Sequence, residues 1–249
     1  ICILRQVALN HALSAALAVL LMAVVSFFVL ADLDVQIGWV GIDSLAVIGL
    51  YLFGMWLLRN NRFAGATAPA LPAAPAKPAT SAKPAGEKLP SLRHALIGFG
   101  LSTAVLVIAT PWMVRSAVGI AGLTGLTTGV VGLLFVAVVT SFPEMVATVA
   151  AARIGAPDLA VGILFGSNIF NMAILGVVDV FYTRGSLLAE ITPTMSFACL
   201  IGLILTSLAG VGNVARFERR LVFVEIDAFM ILLAYALGVW FLVGRGFVG

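Results

Sequence analysis

Charge is what this sequence holds least of. Only 10% of its 249 residues are Asp, Glu, Lys or Arg, against about 25% in a soluble domain. With 62% hydrophobic residues and a mean hydropathy of +1.16, that scarcity excludes a water-soluble globule. It points to an all-α polytopic membrane protein. Cysteine is scarcer still. Cys2 and Cys199 have no metal or redox spacing, and Cys199, inside an apolar run, reads as a small packing residue. The two histidines, His11 and His94, form no pair. There is no Gly-rich phosphate loop and no nucleophile triad pattern, so the chain reads as not an enzyme and as needing no cofactor. The net charge of +3 does not imply nucleic acid, because the basic residues sit between apolar runs, where they report orientation.

Seven apolar runs are long enough to cross a bilayer, at about 7–31, 38–58, 94–114, 123–151, 158–181, 193–213 and 221–244. The chain starts with Ile rather than Met, and its first run is too long for a signal-peptide core and lacks a small-x-small site. It reads as a membrane span in a chain whose beginning is missing. Ala64–Pro90 holds six of the ten prolines and all three lysines. Such a segment cannot keep helical hydrogen bonds and is expected to be a disordered linker between two membrane units. Counted by side, Arg5, Arg59, Arg62, Lys77, Lys83, Lys88, Arg93, Arg153, Arg216, Arg219 and Arg220 fall together. Arg115, Arg184 and Arg245 fall opposite. This bias predicts a cytoplasmic N-terminal end and linker and an outside C-terminus. An inner (plasma) membrane of a bacterium is the expected location.

The stretch Leu123–Ala152 contains one charged residue, Glu144, in Thr140-Ser141-Phe142-Pro143-Glu144. The nearest other charge is Arg153. At ~1.5 Å rise per residue the offset of nine positions between them corresponds to ~13 Å of depth, close to the middle of a ~30 Å hydrocarbon layer. A carboxylate there costs ~2.5–3.5 kcal/mol even on lenient insertion scales. Pro143 removes a backbone donor and frees carbonyls near Val139 and Thr140. The fourth and fifth runs form a hairpin around Gly155. Glu144 lies eleven residues before it, and Gly166, opening Gly166-Ser167-Asn168-Ile169-Phe170-Asn171, lies eleven after. Antiparallel packing therefore sets two expected helix breaks level, as in transporters whose discontinuous helices meet at the midplane. Glu144, Thr140, Ser141, Ser167, Asn168 and Asn171 can all offer oxygen to a metal ion at that depth. Taken singly, a proline is often only a kink and a Gly-Ser pair only a packing notch. An acid at matching depth favours a site.

These two segments resemble the second α-repeat of the cation/calcium exchanger superfamily, the sodium/calcium exchanger type. That family carries Gly-Thr-Ser-x-Pro-Glu on one broken helix and Gly-Ser-Asn-Ile-x-Asn/Asp on the next. The motif resemblance covers about residues 122–176. It implies two inverted five-helix halves, ten spans in all, joined by a cytoplasmic loop. By that resemblance residues 1–60 are the last two helices of the first half, 61–92 the linker, and 93–249 the complete second half. The first α-repeat, with its own Pro-Glu helix, is then the missing partner, and the chain an N-terminally truncated exchanger. Val139 replaces the usual Gly, Ile163 replaces a frequent Asn, and Asn171 stands where some members have Asp. The site is thus less acidic than a strong calcium site, which takes six to eight oxygens with several carboxylates.

The resemblance implies a secondary antiporter exchanging a cation, calcium first, for sodium or protons across the lipid bilayer by alternating access. Glu144 would be the central carboxylate, and the transported calcium, sodium or proton its only small-molecule partner. The alternative is a non-transporting scaffold or sensor that keeps a degenerate half-fold, which Val139 and Ile163 favour. A half-transporter dimerising in antiparallel fashion is disfavoured by the one-sided charge. The other charges read as ordinary. Glu225 and Asp227 pair locally with Arg219 and Arg220, and Asp43 and Asp179 are interfacial acids near outer span ends. Asp158 favours the N-terminus of its helix, and His11 and His94 are interfacial. Trp39, Trp56, Trp112 and Trp240 form an aromatic belt.

Overall fold

A computed structural model of the chain describes residues 2–31, 35–66, 92–125, 128–191, 193–215, 220–221 and 224–242. Five of its helices contain a stretch long and apolar enough to cross a membrane: His11–Ala31, Ile42–Asn60, Leu92–Thr124, Pro157–Phe181 and Met195–Ala215. They belong to α1 (Cys2–Ala31), α2 (Ile42–Ala66), α3 (Leu92–Thr124), α7 (Pro157–Phe181) and α8 (Pro193–Ala215). A shorter apolar helix, α9 (Ile226–Leu242), has 17 residues. Between α3 and α7 the chain is helical in pieces: α4 (Thr128–Val131), a π-helical turn over Gly132–Val136, α5 (Ala137–Thr140) and α6 (Phe142–Arg153). Two small antiparallel hairpins, β1 (Gln36–Ile37) with β2 (Val40–Gly41) and β3 (Arg220–Leu221) with β4 (Val224–Glu225), lead into α2 and α9.

The fourth and seventh expected runs differ in kind from the rest. The run 123–151 is interrupted, and the last is shorter than the five long helices. The run 94–114 is longer than expected. Arg115 does not stop α3, which continues to Thr124, where Gly125 at φ +71° ends it. Trp112, placed in the belt by its sequence position, therefore lies within the helix. The linker falls outside the described residues, apart from the end of α2, which carries helix to Ala66, and the start of α3 at Leu92.

The core gathers around α1. Its residues Leu17, Ala18, Leu21, Val25 and Val29 pack with Val47 of α2, Ile169 of α7 and Leu188 of the loop after α7. Cys199 of α8 packs against this cluster, with its Sγ 3.6 Å from the Met22 carbonyl. Small residues let the helices close up. A Cβ at Gly176 would lie 2.9 Å from both the Ser44 carbonyl and Ile48 Cγ1. By contrast α3 buries none of its apolar window. Its Leu101, Val107, Ile108 and Trp112 are exposed, an arrangement suited to lipid and costly in water.

Both ends of α7 are tied to the first two helices. At one end His11 Nε2 of α1 meets Asp158 Oδ1 at 2.7 Å. His11 is 6% exposed, buried against its neighbours. At the other end Asp179, fully buried, accepts hydrogen bonds from the backbone N–H groups of Gly41 (2.8 Å) and Leu187. Asp43 is buried beside it, accepting from the Ser44 N–H (2.7 Å) and the Ser186 hydroxyl (3.1 Å). These acids cap loops, which explains why they sit inside at a span end. Trp39 Nε1 donates to the Val180 carbonyl at 3.0 Å and closes the same corner. The expected pairing of Glu225 with Arg219 and Arg220 rests on side chains outside the described residues. Asp227, whose expected arginine partners likewise have side chains outside the described residues, accepts the Ala228 N–H at 2.8 Å in the first turn of α9.

Candidate cation site

Pro143 shapes the site. It has no N–H to return to the carbonyl of Val139, and it sits in the first turn of α6, where a missing donor does least harm. Ser141 is the single residue between α5 and α6, at φ −88° and ψ −3°. The expected break is therefore present at Ser141, and the π-helical turn one turn upstream widens the same stretch, with Ala137 N–H reaching back to the Gly132 carbonyl. Glu144 falls in the first turn of α6, where the partial positive charge of the helix N-terminus favours a carboxylate.

The second expected break is absent. α7 runs unbroken from Pro157 to Phe181 through Gly166, Ser167 and Asn168. Gly lowers helix propensity by about 1 kcal/mol and Ser and Asn by less, but none of them removes a backbone donor. An apolar surrounding offers the freed groups no alternative partner, so the helix persists.

α6 and α7 form the expected hairpin. Gly155 at φ +73° turns it, with Ala156 N–H on the Ala151 carbonyl (2.9 Å) and Gly155 N–H on the Ala152 carbonyl (3.1 Å). Within α6 only Glu144, Thr148 and Ala151 are withdrawn from full exposure. Their spacing of four and three makes one helical stripe, and α7 is the element against which α6 packs most. Oε2 of Glu144 is buried without a hydrogen-bond partner, and so is Oγ1 of Thr148. A carboxylate oxygen left that way calls for a proton or a cation.

The remaining expected residues divide. Ser167, half-buried, donates to the Leu164 carbonyl at 3.1 Å. Asn168, also half-buried, donates its Nδ2 to Thr206 Oγ1 of α8 at 3.3 Å. Thr206 is buried and in turn reaches Met22 Sδ of α1 at 3.7 Å. Thr140 is exposed and returns its hydroxyl to the carbonyls of Val136 (2.9 Å) and Ala137 (3.1 Å), while Ser141 and Asn171 are exposed. Among the described residues no hydrogen bond ties Glu144 to Ser167, Asn168 or Asn171. Nor do they contain a group of three or more His, Cys, Asp or Glu able to hold a metal ion. Any cation here would be met by one carboxylate with hydroxyl and amide oxygens. The opposite face of α5 and α6 carries a hollow lined by Val138, Val139, Phe142, Pro143, Val146 and Ala147, with no charged side chain.

Two residues escaped the sequence reading. Thr206 carries no local signal, because its importance comes from the reach of Asn168 of α7 to α8. Thr148 was legible in principle as a polar residue one turn from Glu144.

No solved structure matches the chain. The sodium/calcium exchanger MaX1 of Methanosarcina acetivorans is 38% identical over 141 residues, covering 54% of this chain and 39% of that protein. The inner membrane protein YrbG of Escherichia coli is 31% identical over 93 residues, covering 37% of this chain and 29% of that protein. The chain thus spans well under half the length of these relatives. Residues 94–244 match the family described as sodium/calcium exchanger protein, and the chain belongs to that family of membrane transporters rather than to a family of enzymes.

Proposed function

We propose that this chain supplies one half of a secondary cation antiporter that exchanges calcium for sodium or protons by alternating access. The observation that carries this reading is the buried, unpartnered Oε2 of Glu144 at the head of a helix interrupted at Ser141. Competition between a proton and a metal ion for that oxygen would itself couple two fluxes. Thr140, Ser141, Ser167, Asn168 and Asn171 complete the proposed ligand set with neutral oxygens. A second repeat, outside residues 1–249, would supply the remaining oxygens that calcium requires. Family membership and the name of the Methanosarcina relative support the ion class.

The proposed arrangement has seven spans, with α4 to α6 together forming the fourth and α9 the seventh. A 17-residue helix is at the short limit for a crossing. The N-terminal end and linker face the cytoplasm of a bacterial cell and the C-terminus faces outside. The test is Glu144→Gln in the full-length protein reconstituted in vesicles. Calcium exchange is expected to vanish while expression and folding persist; undiminished flux would remove Glu144 from the mechanism.

A second reading is a non-transporting scaffold or sensor. It is favoured by the unbroken α7 and by Val139 and Ile163 at positions where the family more often has Gly and Asn. Calcium flux by the wild-type protein in the same vesicles excludes it.

A further inference from the structure

Thr148 has a hydroxyl that the fold leaves over. Its Oγ1 is buried and unpartnered, as are those of Ser44 in α2 and Ser196 in α8, but among the described residues Thr148 is the one of the three that stands one turn from a buried, unpartnered carboxylate oxygen. Thr103, Thr110, Thr124 and Thr140 each donate to the carbonyl four residues back, at 2.7 to 2.9 Å. Ser26 and Ser207 do the same at 2.8 Å. That return bond is the ready means of satisfying a hydroxyl inside an apolar helix, and a buried hydroxyl without it loses a hydrogen bond it would make in water. Thr148 makes no such return bond.

Its surroundings say what could meet it. Thr148 stands one turn from Glu144, and in α6 these two residues hold the unpartnered buried oxygens. With Ala151 they make up the stripe of α6 that is withdrawn from full exposure, and α7 lies along α6. Two unpartnered polar oxygens therefore share one seam. A hard cation that takes carboxylate and neutral oxygens together would use both.

We propose that Thr148 is a further cation-binding residue, whose hydroxyl oxygen extends the site by one turn from Glu144 along the α6–α7 seam toward Gly155. The ligand is a calcium- or sodium-like cation. This rests on the reading of Glu144 as the transport carboxylate. Thr148 then serves either as a ligand at the main site or as the next stop on the cation's path, and both roles place its oxygen against the moving ion.

The experiment is calcium exchange by the full-length protein in proteoliposomes. Thr148→Val keeps the shape and removes the oxygen, and it is expected to raise the KM for calcium about tenfold with a much smaller change in kcat. Thr148→Ser restores the wild-type KM. Thr148→Cys places a soft thiolate ligand at the same point, so cadmium should block that variant at concentrations that spare the wild type, which already carries Cys2 and Cys199. If Thr148→Val does not fold, the cadmium measurement decides. Wild-type KM in Thr148→Val, or wild-type cadmium sensitivity in Thr148→Cys, overturns the assignment while an inactive Glu144→Gln leaves the transport reading standing. Full flux in Glu144→Gln removes that reading and the Thr148 assignment with it.

Discussion

At the scale of single residues, the functional stretch is set by which polar atoms are satisfied. Thr140 spends its hydroxyl on two carbonyls of its own helix, whereas Glu144 Oε2 and Thr148 Oγ1 spend theirs on nothing. Asn168 is held differently, through Thr206. With its Nδ2 bound to that hydroxyl, the carbonyl oxygen of the amide is left to face elsewhere. Thr206→Val removes the acceptor and frees the amide to rotate. The KM for the transported cation is expected to rise several-fold, by about the value of one neutral hydrogen bond, ~0.5–1.5 kcal/mol, and Thr206→Ser to restore it. Equal KM values for wild type and Thr206→Val in vesicle flux would show that this bond orients nothing. Glu144 was legible because a charge in thirty apolar residues is conspicuous. Thr206 was not, because threonine is common in apolar helices and only the bond from Asn168 of α7 gives it a role.

At the scale of elements, one expected break is present and the other is not, for one reason. Proline deletes a donor, so the interruption before Pro143 follows from covalent chemistry and can be read from the letters. Gly166, Ser167 and Asn168 only weaken helical preference, and packing against α1 outweighs that: Ile169 belongs to the main core cluster and Phe165 is buried. The length of α3 was misread because Arg115 looked like a span end. A charge ends a hydrophobic run without ending a helix, and a stop in the left-handed region comes only at Gly125. The outer corner of α7 was read as ordinary interfacial acid. It is a clasp, in which Asp179 holds one N–H from Gly41 and one from Leu187. Asp179→Ala strands both donors at a site with no exposed surface, an expected loss of ~2–5 kcal/mol, while Asp179→Asn keeps one acceptor and loses less. Thermal unfolding in detergent measures the difference. Faster amide exchange at Gly41 and Leu187 should accompany it, and an unchanged melting temperature in Asp179→Ala would show the clasp to be dispensable.

At the scale of the whole molecule, the membrane class was plain from composition, and the exposed apolar side chains of α3 agree with it. Orientation rests on the one-sided distribution of Lys and Arg. With Cys2 and Cys199 replaced, Ser81→Cys and Gly249→Cys are expected to react with an impermeant maleimide from opposite faces of sealed vesicles. Labelling from the same face would refute an odd number of crossings. What the letters could not convey is which helices become neighbours, since every apolar run looks alike to lipid and partner choice depends on small contacts such as Gly176 against Ser44 and Ile48. The central place of α1 has a consequence for biogenesis. Helix α1 finds its neighbours α7 and α8 only after more than a hundred further residues have been synthesised. Until then Ser26, which bonds back to its own helix, is safe in the bilayer, but His11 must wait for Asp158. The packing around α1 is therefore completed only once α7 and α8 have followed it into the bilayer.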